Sequence, residues 1–148
     1  RSKNDTLNQK NKLGTLLKSN DKIVIFPEGT TSDGNRVLNF KSSVFSAMER
    51  KNFIIQPIIL IYSELNGIPI NRWLRPVIAW YGDMELQPHL STLIYLRSIK
   101  VKIILLDPIK TNKFINRKKL SKYLENIIRI KYSSSISKKL AKHSYKWQ

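Results

Sequence analysis

The sequence contains no cysteine, which excludes disulfide frameworks, thiolate metal sites and cysteine nucleophiles and is compatible with a reducing compartment. It also lacks any apolar run long enough to span a bilayer. The longest, Phe53 to Tyr62, is interrupted by Gln56 and Pro57 and falls well short of the roughly 18 residues that a spanning helix needs. Nothing at its start has the pattern of a signal peptide. The chain begins at Arg1 rather than at a methionine, and further residues upstream are expected. Acidic residues are scarce, 10 against 27 lysines and arginines for a net charge of +17, which points to anionic partners without saying which anion. Histidine is scarcer still: only His89 and His143 are present.

What is there suffices for one domain. With 148 residues, 41% of them apolar, the chain can bury a core. The positive surplus is uneven, since Lys110 to Lys146 holds twelve Lys or Arg and a single acid, Glu125, which is +11 of the +17. The C-terminal quarter is a basic element.

Hydrophobic spacing gives the organisation. Asn8 to Asn20 reads as a short helix on Leu13, Leu16 and Leu17, and Lys22 to Phe26 as a first strand. Lys41 to Lys51, with Val44, Phe45, Ala47 and Met48 on one side, reads as a second helix. Phe53 to Tyr62 is a nearly continuous apolar strand broken at Gln56-Pro57, because proline cannot donate to a ladder. Pro76 to Tyr81 reads as a third strand, Pro88 to Arg97 as a short helix and Val101 to Leu106 as a fourth strand. Asn116 to Lys131 carries Leu120, Tyr123, Leu124, Ile127 and Ile130 at helical spacing with basic residues opposite, an amphipathic basic helix. Strands apolar throughout and separated by helices predict an α/β layered fold. Its sheet is expected to be mostly buried, of about four or more strands flanked by helices. Residues 1–132 are read as the folded domain and 133–148 as a basic tail with freedom to move.

The chemistry concentrates where the first expected strand stops, at Phe26-Pro27-Glu28-Gly29-Thr30-Thr31-Ser32-Asp33-Gly34-Asn35-Arg36. In an open α/β sheet, loops at the carboxyl ends of strands line the binding crevice. Gly29 lets backbone approach a ligand, and Asp33-Gly34 is a turn signal. Lys41-Ser42-Ser43 opens the next expected helix, where free N–H groups favour an anion. With Arg36 and Lys41 this is a candidate phosphate pocket. A strand followed by an ordinary turn, with Glu28 and Arg36 solvated, has the same composition, and the loop lacks the Gly-Lys-Ser/Thr of a P-loop.

Phe26-Pro27-Glu28-Gly29-Thr30, then Ser32, then Phe40-Lys41, resembles the signature block of the glycerolphosphate acyltransferase family, which includes the 1-acylglycerol-3-phosphate acyltransferases. That family usually has arginine where Thr31 stands and glycine where Ser43 stands, and Arg36 is the candidate to replace the missing charge. Arg1 is similar in placement to an arginine that ends an upstream block, and Gln56-Pro57 resembles a proline-bearing strand that lines the acyl-donor site. Ala79-Trp80-Tyr81-Gly82-Asp83-Met84 looks like a feature of a bacterial branch with the same Thr-Thr-Ser-Asp-Gly variant. The resemblance implies transfer of a fatty acyl group from a thioester of CoA or acyl-carrier protein to lysophosphatidate, making phosphatidate for phospholipid synthesis. A lyso-aminolipid acceptor is the alternative. Arg1, Glu28, Gly29, Thr30, Arg36, Lys41 and Pro57 would bind the substrates, with no metal and no cofactor besides the acyl thioester. It implies, too, a membrane-associated protein at the cytoplasmic face.

Acyl transfer to a hydroxyl needs a base, and histidine suits that near neutral pH. The family takes it from a His-x-x-x-x-Asp block. Here His89 is followed five residues later by Ile94 and His143 by Gln148, so the catalytic pair is expected upstream of Arg1. Glu28 is expected to be too weak a base, with Arg36 and Lys41 holding its pKa down. Two readings without chemistry compete: a nucleic-acid-binding module on Asn116 to Lys146, and a membrane-surface anchor using Trp73, Trp80 and Trp147. Aromatic residues are not interleaved with the charges as a stacking platform requires, so no specific nucleic acid is expected.

Overall fold

The computed structural model of the chain describes residues 15–16, 22–49 and 52–144, with side chains to residue 137. Arg1 and most of the expected Asn8 to Asn20 helix lie outside the described residues. The fold is mixed α/β, built on short strands. β1 (Ile54–Ile55) pairs antiparallel with β5 (Ile109–Lys110), and β2 (Ile58–Leu65) is the middle of a second antiparallel sheet between β3 (Ile68–Pro69) and β4 (Ile99–Leu105).

The break between β1 and β2 falls at Gln56-Pro57. Pro57 has no N–H to donate, but its carbonyl accepts the Leu106 N–H at 3.0 Å, and Gln56 Nε2 donates to the Leu106 carbonyl. β2 turns into β3 through Asn66-Gly67, with φ of 49° and 80°, the left-handed pair that a two-residue hairpin of matching twist demands. β2 and β4 pair from Ile58↔Leu105 to Leu65↔Ile99, with a register shift between Tyr62 and Glu64. There Ser63 is buried and its hydroxyl donates to the Lys100 carbonyl at 3.1 Å.

Among the described residues the strands form two small antiparallel sheets, not the one mostly buried sheet of about four or more strands that was expected. Side chains on a strand alternate between faces. Among the described residues only one face of β2 is covered: Ile59 and Ile61 are 3% and 2% exposed, against 48% and 45% for Ile58 and Leu60. An unbroken apolar run supplied apolar groups to both faces but could not say which would be packed. Lys22 to Phe26 belongs to neither sheet, and its Val24 and Phe26 are exposed while Ile25 packs inward. The expected strand at Pro76 to Tyr81 is instead a short helix, Arg75–Ile78, with the proline in its first turn, where a missing N–H costs nothing. Asn71 Oδ1 accepts the Trp73 and Leu74 N–H groups just ahead of it.

Helices occur where three were expected. Leu86–Ile94 is a helix, Ser42–Met48 is a 3₁₀ helix, and the one expected at Asn116 to Lys131 is longer than that, Arg117–Ser144, continuing past residue 132. That helix packs its apolar side on the 3₁₀ helix. Phe45, Met48, Leu120 and Leu124 form the centre of the larger core, with Ile25, Phe40, Phe53, Ile55 and Phe114 around it. A second, smaller core holds Leu65, Ile70 and Ile78 against Leu74, Leu93 and Leu96.

Candidate functional site

The signature segment closes into a loop because its two ends bond. Gly29 N–H donates to the Phe26 carbonyl at 3.2 Å, making the tight turn, and Lys41 N–H donates to the Pro27 carbonyl at 2.8 Å. Gly29 has φ +63°, a conformation that costs other residues free energy. A Cβ there would lie 2.9 Å from Lys41 Cδ, since the Lys41 side chain folds over the turn and its Nζ reaches the Gly29 carbonyl at 3.4 Å. Thus Gly29 and Lys41, twelve positions apart, share one corner.

Glu28 turns inward. Its Oε2 accepts the Leu38 N–H at 2.8 Å, bridging the loop at mid-height. Burial pushes its pKa above the ordinary 4.5, with the Leu38 N–H and Arg129 opposing. This corrects the expected direction: loss of water outweighs nearby cations, and the cation that acts on it is Arg129. A carboxylate engaged by backbone in this way shapes the loop.

The tip is organised by short polar contacts. Asp33 accepts from the Asn35 side-chain amide and backbone N–H, both at 3.1 Å. Those bonds, together with Arg36 and Arg72, hold its pKa below the usual carboxylate value against a small desolvation effect. Ser32 Oγ accepts the Gly34 N–H at 3.3 Å. Thr30, Arg36 and Lys41 are exposed, so the loop presents a hydroxyl and two cations to solvent while its carboxylates are used internally. Such a surface can hold an anionic group by charge-assisted hydrogen bonds.

Several residues that hold this loop were not among the sequence candidates. Arg75 is buried at 7% exposure; its Nη1 donates to Asn35 Oδ1 at 2.9 Å, and its Nε has no partner among the described residues. From the C-terminal helix, Glu125 Oε2 accepts the Phe40 N–H at 2.9 Å. Arg129 Nη2 reaches Asn39 Oδ1 at 3.0 Å and the Val37 carbonyl at 3.4 Å. The Tyr132 hydroxyl donates to the Gly34 carbonyl. Burial drives the Glu125 pKa up, but the Phe40 N–H, Lys122 and Arg129 more than offset it and the net shift is downward. A signal existed in the sequence: Glu125 is the lone acid of a strongly basic stretch, one position from Leu124 on the apolar side of the helix.

The remaining candidates lie elsewhere. Pro57 is buried in the sheet region, and its hydrogen bond goes to Leu106 rather than to the loop; Arg1 is outside the described residues. His89 is buried in the first turn of Leu86–Ile94, with its Nε2 unpartnered among the described residues. The His143 side chain is not described. Among the described residues no group of three or more His, Cys, Asp and Glu could hold a metal ion, and no helix is long and apolar enough to cross a membrane.

Residues 1–61 match the family model described as Acyltransferase. The chain is 33% identical over 138 residues to the lyso-ornithine lipid O-acyltransferase of Brucella abortus, covering 88% of this chain and 52% of that protein. It is 34% identical over 134 residues to the enzyme of the same name from Rhizobium meliloti, covering 86% and 46%. A third of that name, from Rhodobacter capsulatus, is 29% identical over 72% of this chain and 39% of its own length. The chain spans about half the length of the curated relatives it matches. No solved structure matches. The signature loop, the family match across it and these relatives lead to one conclusion: the chain belongs to the glycerolphosphate acyltransferase family.

Proposed function

We propose that the protein is an O-acyltransferase that esterifies the free hydroxyl of a lyso-aminolipid, with an acyl thioester of CoA or acyl-carrier protein as donor. The observation that carries the reading is the pair of relatives at 33% and 34% identity along most of this chain, both named for a lyso-ornithine lipid. Lysophosphatidate as acceptor, with phosphatidate as product, is the second reading; the exposed Arg36 and Lys41 suit a phosphate as readily as a carboxylate.

In this reading the acceptor hydroxyl oxygen attacks the thioester carbonyl carbon, a base takes the hydroxyl proton, and the thiol leaves as the ester forms. Arg36 and Lys41 hold the head group by its anionic part, Thr30 offers its exposed hydroxyl, and Gly29 leaves the space that the Lys41 side chain occupies over the turn. Glu28 keeps the loop in shape rather than taking the proton, being bonded to the Leu38 N–H. The base is assigned to a His-x-x-x-x-Asp pair outside residues 1–148, because neither histidine here has an aspartate at that spacing. Arg1 belongs with the anion-binding residues and Pro57 with the donor side in this assignment. The protein works at the cytoplasmic face of a membrane, drawn to anionic lipid by its +17 charge.

The test is a competition in which the full-length protein receives lyso-ornithine lipid and lysophosphatidate together, with acyl-CoA or acyl-carrier protein, and products are read by mass spectrometry. Acylation mainly of the lyso-aminolipid is expected. Preferential formation of phosphatidate would replace this reading by the second, and no acylation of either would remove both.

A further inference from the structure

The long C-terminal helix has two sides with different work. Its exposed lysines face outward, but Glu125, Arg129 and Tyr132, spaced i, i+4 and i+7, share one stripe and each bonds the signature loop. The order of contacts is systematic. Glu125 takes Phe40, Arg129 takes Asn39 and Val37, and Tyr132 takes Gly34. As the helix advances from 125 to 132, the loop steps back from 40 to 34. Over about 10 Å of helix, at roughly 1.5 Å per residue, the loop is laid antiparallel along the stripe.

The stripe is internally connected. Glu125 is 4% exposed and its Oε1 lies 3.0 Å from Arg129 Nη2 and 3.1 Å from Lys122 Nζ. The residues that hold Phe40, Asn39 and Val37 are therefore joined by one ion pair, with Glu125 buried and Arg129 partly exposed. Arg36, the exposed cation of the tip, sits between Gly34 and Val37, both fastened to the helix, and Lys41 follows Phe40 directly.

We propose that Glu125, Arg129 and Tyr132 are positioning residues that set the shape of the signature loop and so the direction in which Arg36 and Lys41 meet the acceptor head group. The stripe fastens the loop from Gly34 to Phe40 in addition to the loop's own turn bonds, and substitutions on the stripe alter acceptor recognition without touching the acceptor. The proposal rests on the acyltransferase reading above for its consequence, though not for its geometry.

Two readouts on the full-length protein separate the two. Amide hydrogen exchange reports the shape of the loop; steady-state kinetics with lyso-ornithine lipid and acyl donor report its use. Tyr132→Phe removes one hydroxyl and keeps the ring. Glu125→Gln keeps an oxygen able to accept the Phe40 N–H but loses the ion pair, and Glu125→Ala loses both. Exchange across residues 34–41 is expected to rise on the order of tenfold in Tyr132→Phe if one net hydrogen bond is lost. At Phe40 protection should fall in the order wild type, Glu125→Gln, Glu125→Ala. Acceptor KM should rise in the same order while donor KM stays within about twofold, the pattern of lost uniform binding at one substrate only. Unchanged exchange in both Tyr132→Phe and Glu125→Gln would overturn the proposal whatever the kinetics. Raised exchange with an unchanged acceptor KM would overturn the positioning role. A wild-type protein that acylates no lysolipid, with exchange rising as expected, would bring down the functional reading and leave the helix as the support of the loop.

Discussion

Gly34 lies against Arg75, and replacing it by alanine measures how firmly the loop tip is seated. Gly34 has φ +72°, and a Cβ would come within 3.2 Å of Arg75 Cγ and 3.4 Å of Cδ. Arg75 is buried and bonded to Asn35, so its stem has little freedom to retreat. Gly82 is the control: its φ is +64°, and a Cβ would meet nothing within 4 Å. Left-handed backbone costs an alanine about 1–2 kcal/mol, and the stiffer unfolded chain returns about 0.4–1 kcal/mol. Gly82→Ala should therefore destabilise by at most about 1.6 kcal/mol. Gly34→Ala carries the same conformational cost plus about 1–3 kcal/mol of overpacking. The assay is urea unfolding of the full-length protein, comparing midpoints at constant m. In an Arg75→Ala background the excess cost of Gly34→Ala should vanish, since neighbours in contact are non-additive. Equal midpoint shifts for Gly34→Ala and Gly82→Ala would refute the contact and with it the seating of the loop on Arg75.

Arg36→Ala should leave stability within about 0.5 kcal/mol, because the residue is exposed. It should raise acceptor KM by roughly 10- to 100-fold if the guanidinium makes a charged hydrogen bond to the head group; unchanged acceptor kinetics would place the anion elsewhere. Glu28 has a folded pKa raised above 4.5, so its contribution to stability is present below that value and lost as pH rises through the folded pKa. Glu28→Gln should keep an acceptor for the Leu38 N–H and flatten that part of the stability profile, and a profile that keeps its slope would assign it to another group. Asp33 and Glu125 act with the opposite sign, their depressed pKa values giving stability above the ordinary carboxylate range that is lost on acidification. Cosedimentation with anionic vesicles is expected and should weaken steeply with salt; reversing the charge of the exposed Lys118 and Lys119 should weaken it at every salt concentration, and equal binding to neutral vesicles would exclude an electrostatic origin.

The sequence by itself determined the features that local chemistry controls. Pro57 interrupts the long strand because it has no N–H, Gly29 and Gly34 take positive φ where the loop turns, and 3.6-residue periodicity marks the apolar stripe of the C-terminal helix. The five-residue block from Phe26 to Thr30 was enough to find the loop and its family. Pairing was decided only in three dimensions. Lys22 to Phe26 and Pro76 to Tyr81 have the composition of strands, yet a strand exists only where another lies beside it, and composition carries no record of the neighbour. The loop shows the same limit: Glu125 reaches Phe40 across 85 positions, Arg129 reaches Asn39 across 90 and Arg75 reaches Asn35 across 40. Read along the chain, Glu125 is one acid in a basic helix and Arg75 one arginine before a proline. Folding removes both from water, and a charge removed from water seeks its partners there: Glu125 finds the Phe40 N–H, Lys122 and Arg129, Arg75 finds the Asn35 side chain, and these contacts turn a surface-like stretch of lysines and arginines into the support of the candidate site.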